Sequence, residues 1–187
     1  VLIQKLKHHI QILSFFVEKM KELLQEYGAY NLWADKVLLD KLAHLPAEIL
    51  HKQMESSFPN IYQTLVHMME AESVWLQRLK LQEHIQFPEK DPEENFEELS
   101  KKLLALSKQW SEWINDANEK NIIHVFGYYN SKKEFFKQPV YEMLLHVFNH
   151  QTYHRGQIVT MLRQNKIDKI PATDFIVFSR KKNNLIR

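Results

Sequence analysis

Three of the ten histidines fall within nine residues, His146, His150 and His154, and Arg155-Gly156-Gln157 follows at once. Four residues advance a helix by about 400°, so histidines at that spacing drift only roughly 40° around the axis and share one face. Neutral imidazole is the commonest protein ligand for zinc, nickel and similar ions, and an i,i+4 pair delivers two nitrogens with little further ordering. A single histidine on an apolar face is more often hydrogen-bonded within a core, and an isolated pair is often incidental. A third histidine in register, inside a run rich in Leu, Val, Phe and Tyr, favours a metal or catalytic role.

A histidine pair needs a third ligand from elsewhere to make the three-ligand, open-position arrangement of a catalytic metal. His67 is the best candidate, because it lies within a core-type helix and helix bundles build metal sites from side chains on facing helices. The alternative for His67 is a buried, hydrogen-bonded histidine. Glu70, about one turn beyond, could act as a base from outside the ligand set, although a solvated helix carboxylate is the commoner role. Ferritin-like di-iron chemistry is rejected, because it needs Glu-x-x-His on each of two helices and the chain lacks such a pair. There is no cysteine, which excludes disulfides, cysteine-ligated zinc and a cysteine nucleophile. If thiol chemistry occurs, the thiol is a substrate.

The elements that must position these residues follow from apolar spacing. Val17, Met20, Leu24, Tyr27, Tyr30, Ala34, Val37, Leu38 and Leu42 predict a first helix from about 17 to 43, stopping near Pro46. Ser56-Ser57-Phe58-Pro59 reads as a cap with proline in the first turn, opening a second helix to about Leu81. Phe87 to Pro92 reads as a turn, and Glu93, Glu94, Glu97 and Glu98 begin a third helix running to about Glu119. Ile122 to Phe126 and Glu134 to Phe136, around Tyr129-Asn130-Ser131-Lys132, suggest a hairpin. Pro139 starts the helix that carries the histidine ladder to about Lys166. The expected fold is therefore all-α, a four-helix bundle with a short β-hairpin before the last long helix, in one domain over 1–187. Trp33, Trp75, Phe148 and Tyr153 read as core or pocket wall. Gly156, inside a helix, costs about 1 kcal/mol relative to Ala, and close helix approach is its expected reason.

Only 3 glycines and 6 prolines punctuate 187 residues, and 44% hydrophobic content is enough for a sizeable core. The formal net charge of +2 includes no basic block in the body of the chain, so no nucleic-acid partner is expected. No apolar run approaches the roughly 18 residues of a membrane span. At the start, Lys5, Lys7, His8 and His9 precede an apolar Ile10 to Val17 stretch without a small-residue cleavage site. That segment reads as a helical leader, with 1–19 a candidate N-terminal extension, and the cytoplasm is the expected location.

The runs Tyr30-Asn31-Leu32-Trp33-Ala34-Asp35, Leu38 to Pro46, Ser57-Phe58, Thr64-Leu65-Val66-His67 with Glu72 and Trp75-Leu76, and Leu145 to Ile158 resemble the DinB (DinB/YfiT-like metalloenzyme) family in order and spacing, from about 20 to 178. Carried over residue by residue, that family's metal triad falls on His67, His150 and His154. The resemblance implies an up-down-down-up bundle, a divalent ion such as zinc or nickel with water in the open position, and a homodimer. His146, Gln157, Arg155, Asn31 and Glu70 are then candidates for the outer shell or pocket. Related families transfer or use low-molecular-weight thiols such as bacillithiol, mycothiol or glutathione. A thiol transferase acting on a small-molecule electrophile is the first expectation, a metal-dependent hydrolase the second, and a non-catalytic metal-binding module the third.

Overall fold

The computed structural model describes residues 2–82, 84–88, 95–130 and 132–183. Glu93 and Glu94, expected to open the third helix, lie outside the described residues, as do Lys90, Asp91 and Pro92 of the preceding turn and Ser131 of the hairpin turn.

Helix α1 (Leu2–Leu42) is continuous, so the expected leader and first helix are one element. Gly28 is the sole glycine in 2–42 and the first proline is Pro46, so nothing there breaks the helix. A Cβ on Gly28 would come within 3.1 Å of the Ile114 side chain and 3.6 Å of Phe148. Glycine here lets α1 pack closely on its neighbours. Past Pro46, the expected connector contains one short helix, α2 (Ala47–His51).

Helix α3 (Ile61–Leu79) begins later than the Ser56 to Pro59 cap suggested. Asn60 is the cap: its Oδ1 accepts from the Gln63 amide at 2.8 Å, while residues ahead of it turn back through Met54 N to Pro59 O. Both sites carry competent capping side chains, and the apolar face set by Ile61, Leu65 and Met68 decides between them. Helix α4 (Phe96–Asp116) is capped by Asn95, with Glu97 and Glu98 in the first turn where the dipole favours them. It stops three residues short of the expected Glu119. Asn118 and Asn121 form a reciprocal capping box that restarts the chain as α5 (Glu119–Ile123), so Ile122 is helical and not part of a strand.

Strands β1 (Val125–Tyr129) and β2 (Phe135–Pro139) form the expected antiparallel hairpin, with Tyr129 opposite Phe135. Asn130 closes the turn by accepting from the amides of Lys132 and Glu134, and Lys133 adopts φ 61°. Helix α6 (Val140–Gln164) follows directly after Pro139, and α7 (Phe175–Lys182) ends the described chain.

The four long helices form a ring in which α1 and α3 each pack on both α4 and α6. Residue pairs give the directions. Tyr27 meets Asn149 and Asp35 meets Arg155, so α1 and α6 are parallel; Gly28 meets Ile114 and Asp35 meets Ser107, so α4 runs opposite to α1. His67 meets His150, and Trp75 meets His146, so α3 opposes α6. The bundle is up-down-down-up. Among the described residues no helix is long and apolar enough to cross a membrane.

Two apolar clusters fill the bundle. One centres on Leu38, Leu42, Leu65, Met68, Leu103 and Ile158, the other on Leu24, Leu76, Trp110, Ile114, Val147 and Phe148. Between them on every long helix sits a buried polar residue: Asn31 and Asp35, Glu72, Ser107, Gln151 and Arg155. The histidines lie on the same level of α3 and α6.

Candidate metal centre

His67 on α3 and His150 and His154 on α6 bring their Nε2 atoms together: His67 to His150 is 3.1 Å and His154 to His150 is 3.1 Å. All three ligand atoms lie within 4.8 Å of one another. Tetrahedral zinc with bonds near 2.0–2.1 Å would space two nitrogens by about 3.3 Å. The donor set therefore fits a divalent ion with little movement.

Protonation supports the same conclusion. His154 Nδ1 is 2.7 Å from Gln157 Oε1, an acceptor only, so Nδ1 carries the proton and Nε2 presents its lone pair. Burial pushes His150 down to about 4, with the charges of His154, His67 and His146 adding to the effect. Burial, then His154, lowers His67; burial lowers His154 against the opposing Gln157 bond. At neutral pH the cluster is three neutral imidazoles with converging nitrogens. One shared N–H cannot satisfy both contacts, so a cation suits the space between them.

Comparison with known proteins agrees in extent with this arrangement. Residues 19–177 match the family model described as the DinB family. Over 155 residues the chain is 32% identical to Protein DinB of Bacillus subtilis (strain 168), covering 78% of this chain and 87% of that protein. The chain belongs to the DinB family. A crystal structure of a DinB-like protein from Bacillus cereus ATCC 10987 shares the fold, with a TM-score of 0.58 at 19% identity over 77% of this chain and 91% of that one.

Within this DinB-family fold the other candidate residues separate by position. Gln157 is in direct contact with the triad through His154, and its Nε2 donates to Ser57 Oγ at 2.7 Å and to Tyr153 Oη at 3.1 Å. Tyr153, expected as wall or core, is 60% exposed, yet its ring lies against His154 and rims the site. His146 stands one turn outside the group, its ring 5.9 Å from that of His150. Glu70 is half-exposed and outside the three-histidine group.

Asn31 and Arg155 are buried beside the triad but bond elsewhere. Arg155 Nη1 donates to Asn31 Oδ1 and Asp35 Oδ1, each at 2.7 Å, and Nη2 donates to Thr152 Oγ1 at 2.9 Å. Asn31 Nδ2 donates to Asp35 Oδ2 and Glu72 Oε1. Burial, reinforced by the Asp35 charge, raises the Glu72 pKa well above its ordinary value. Ser107 Oγ lies 3.1 Å from Glu72 Oε2 and 2.9 Å from Asp35 Oδ2. Its single hydroxyl proton is placed to donate to either carboxyl, with Asp35 at the shorter distance.

Gly156 overturns its expected role: a Cβ there would meet nothing within 4 Å beyond its own helix. The open side faces a cavity of about 380 Å³ between α6 and residues 170–174, on the side of α6 away from His154. Sequence reasoning missed Ser57 as a partner of Gln157, and the stacking of Phe58 on His67 at 4.3 Å between ring centres. It also left Glu72 and Ser107 without a role. Their helical phase was the available signal, since Met68, Met69, Glu72, Leu76 and Leu99, Leu103, Ser107, Trp110 each trace a buried face.

Replacing Gln157 by Leu removes the group that fixes the His154 tautomer. Metal affinity, measured by competition with a chelating dye, is expected to fall by about 10–100-fold, with Gln157→Glu retaining most of it. Unchanged affinity in Gln157→Leu would show that the bond does not orient the ligand.

Proposed function

We propose that this DinB-family protein is a metal-dependent enzyme that presents a low-molecular-weight thiol to a small electrophile at His67, His150 and His154. The observation that carries this reading is the convergence of three neutral Nε2 atoms without a carboxylate among them. An all-imidazole set leaves a divalent ion its full charge, and such an ion supplies the Lewis acidity that makes a water or thiol acidic near neutral pH. Zinc or nickel is the proposed ion, and the proposal extends to a homodimer acting on small molecules in the cytoplasm.

The chain's own residues perform the rest. Gln157 holds the His154 ring by its Nδ1 proton and is itself held by Ser57 and Tyr153, so the ligand face stays fixed. Phe58 stacks on His67 and lies 5.7 Å from the His154 ring, shielding that side of the cluster from water. With no cysteine in the chain, the sulfur nucleophile must come from the cosubstrate.

The test is a cobalt-substituted protein titrated with bacillithiol, glutathione and cysteine. A new thiolate absorption band is the expected result, because thiolate displaces solvent from the open position. No band with any of them, together with turnover of an activated ester, would replace the transferase reading by hydrolysis.

A further inference from the structure

Glycine inside a helix is explained where a neighbour needs its bareness, and Gly156 has no such neighbour. A Cβ there would meet nothing within 4 Å, so the residue weakens α6 and provides only space. That space belongs to the cavity of about 380 Å³ beside residues 170–174, which falls in the range of about 300–1,000 Å³ typical of small-molecule sites. Thr152, Gly156, Val159 and Arg163 follow one another by four, three and four residues, so a single face of α6 lines one side of it.

The lining is graded from floor to rim. Tyr30 and Arg155 are buried at the floor, and Tyr30 Oη donates to the Thr173 carbonyl at 2.9 Å, which ties the outer wall to α1. Half-buried Val159, Ile170 and Pro171 make the walls apolar. Arg163 and Asp174 stand exposed at the rim, opposite in sign and forming no ion pair with each other. Arg155 is already paired with Asp35, so the rim supplies the charges a ligand would meet. The Asp174 side chain makes no capping bond to α7, although it holds the cap position. Apolar walls with one charge of each sign suit a compact molecule that carries both charges on an apolar body.

We propose that this cavity binds a free aliphatic α-amino acid, its carboxylate held by Arg163, its ammonium by Asp174, and its side chain over Gly156 between Val159, Ile170 and Pro171. A guanidinium takes a carboxylate through two parallel hydrogen bonds, and a carboxylate accepts from any of the three ammonium protons. None of the triad histidines lines the cavity, so the site does not depend on the thiol reading.

Isothermal titration of the full chain can compare leucine with two analogues that each lack one of its charges, isocaproate and isoamylamine. Leucine is expected to bind about tenfold tighter than either, the effect of one charge-assisted hydrogen bond. Arg163→Gln should weaken leucine and isocaproate but not the amine; Asp174→Asn should weaken leucine and the amine but not the acid. Gly156→Leu should abolish binding of all three by filling the space, with no fall in the melting midpoint. Gly156→Ala should keep the binding and raise the midpoint, because alanine is the better helix former. No saturable binding at millimolar leucine, leucine binding no tighter than its analogues, or undiminished binding in Gly156→Leu would overturn the proposal. A lowered midpoint in Gly156→Ala would overturn its premise, since the glycine would then serve packing.

Discussion

Arg155→Met is expected to destabilise the protein by about 3–5 kcal/mol, because it leaves Asp35 as a buried carboxylate without its counter-charge. Asp35 and Arg155 are 1% and 2% exposed and 2.7 Å apart, so solvent cannot take over either charge. For a domain of this size each kcal/mol moves the melting midpoint by roughly 2–4 °C, so a fall on the order of 10 °C should appear in a thermal melt followed by circular dichroism. Arg155→Lys should recover little of it. A single ammonium group cannot reproduce the planar fork that reaches Asn31, Asp35 and Thr152 together. The double variant Asp35→Asn with Arg155→Met should be less damaged than Arg155→Met alone, since no lone charge remains. A loss below about 1 kcal/mol in Arg155→Met would mean that the pair contributes no more than an exposed one.

His150→Ala is expected to have the largest effect on metal. Its Nε2 is the nitrogen that lies 3.1 Å from both of the others, so its removal leaves two ligands on different helices with a gap between them. Bound zinc or nickel after equilibrium dialysis should fall by more than the roughly 10–100-fold typical of losing an outer-shell partner. His146→Ala should change it by only a few-fold, because that ring stands one turn outside the cluster. Full metal retention in His150→Ala would refute the assignment of the triad. Chelation of the unaltered protein should leave its helical circular dichroism intact, because neither apolar cluster includes a triad histidine. Only the mass-action loss of a native-state ligand should show in the melt.

Much of this architecture was legible in the chain because few residues interrupt it. With glycine and proline sparse, the 3.6-residue apolar period located all four long helices, and the β-branched and aromatic runs near Phe126 and Phe135 located the hairpin. Ends were read less well where two capping groups compete, as at Ser56 and Asn60, or where a capping box restarts a helix, as at Asn118. The histidines were visible through spacing on α6, whereas His67 depended on which helix would face it. The polar layer was harder. Glu72 and Ser107 look like ordinary helix residues until their phase is compared with that of Asp35 on α1 and Arg155 on α6. Gly156 was misjudged because a missing Cβ signals either a close neighbour or an open cavity, and sequence does not distinguish the two.

The polar layer also bears on which bundles this chain can form instead. Its members come from α1, α3, α4 and α6, so they complete one another only when all four helices have the native order and height. Sliding α3 by about one turn would bring Met68 or Leu76 to the place of Glu72, and the Asn31 amide and Ser107 hydroxyl would each lose one of their two partners, keeping only Asp35. An apolar core of leucines would tolerate such a slip with little change in buried area. Here each misaligned packing strands a polar group or an ion away from water, so competing arrangements are pushed up in energy more than the native one is lowered. The same discrimination fixes the height of α3 against α6, and with it the meeting of His67 with His150.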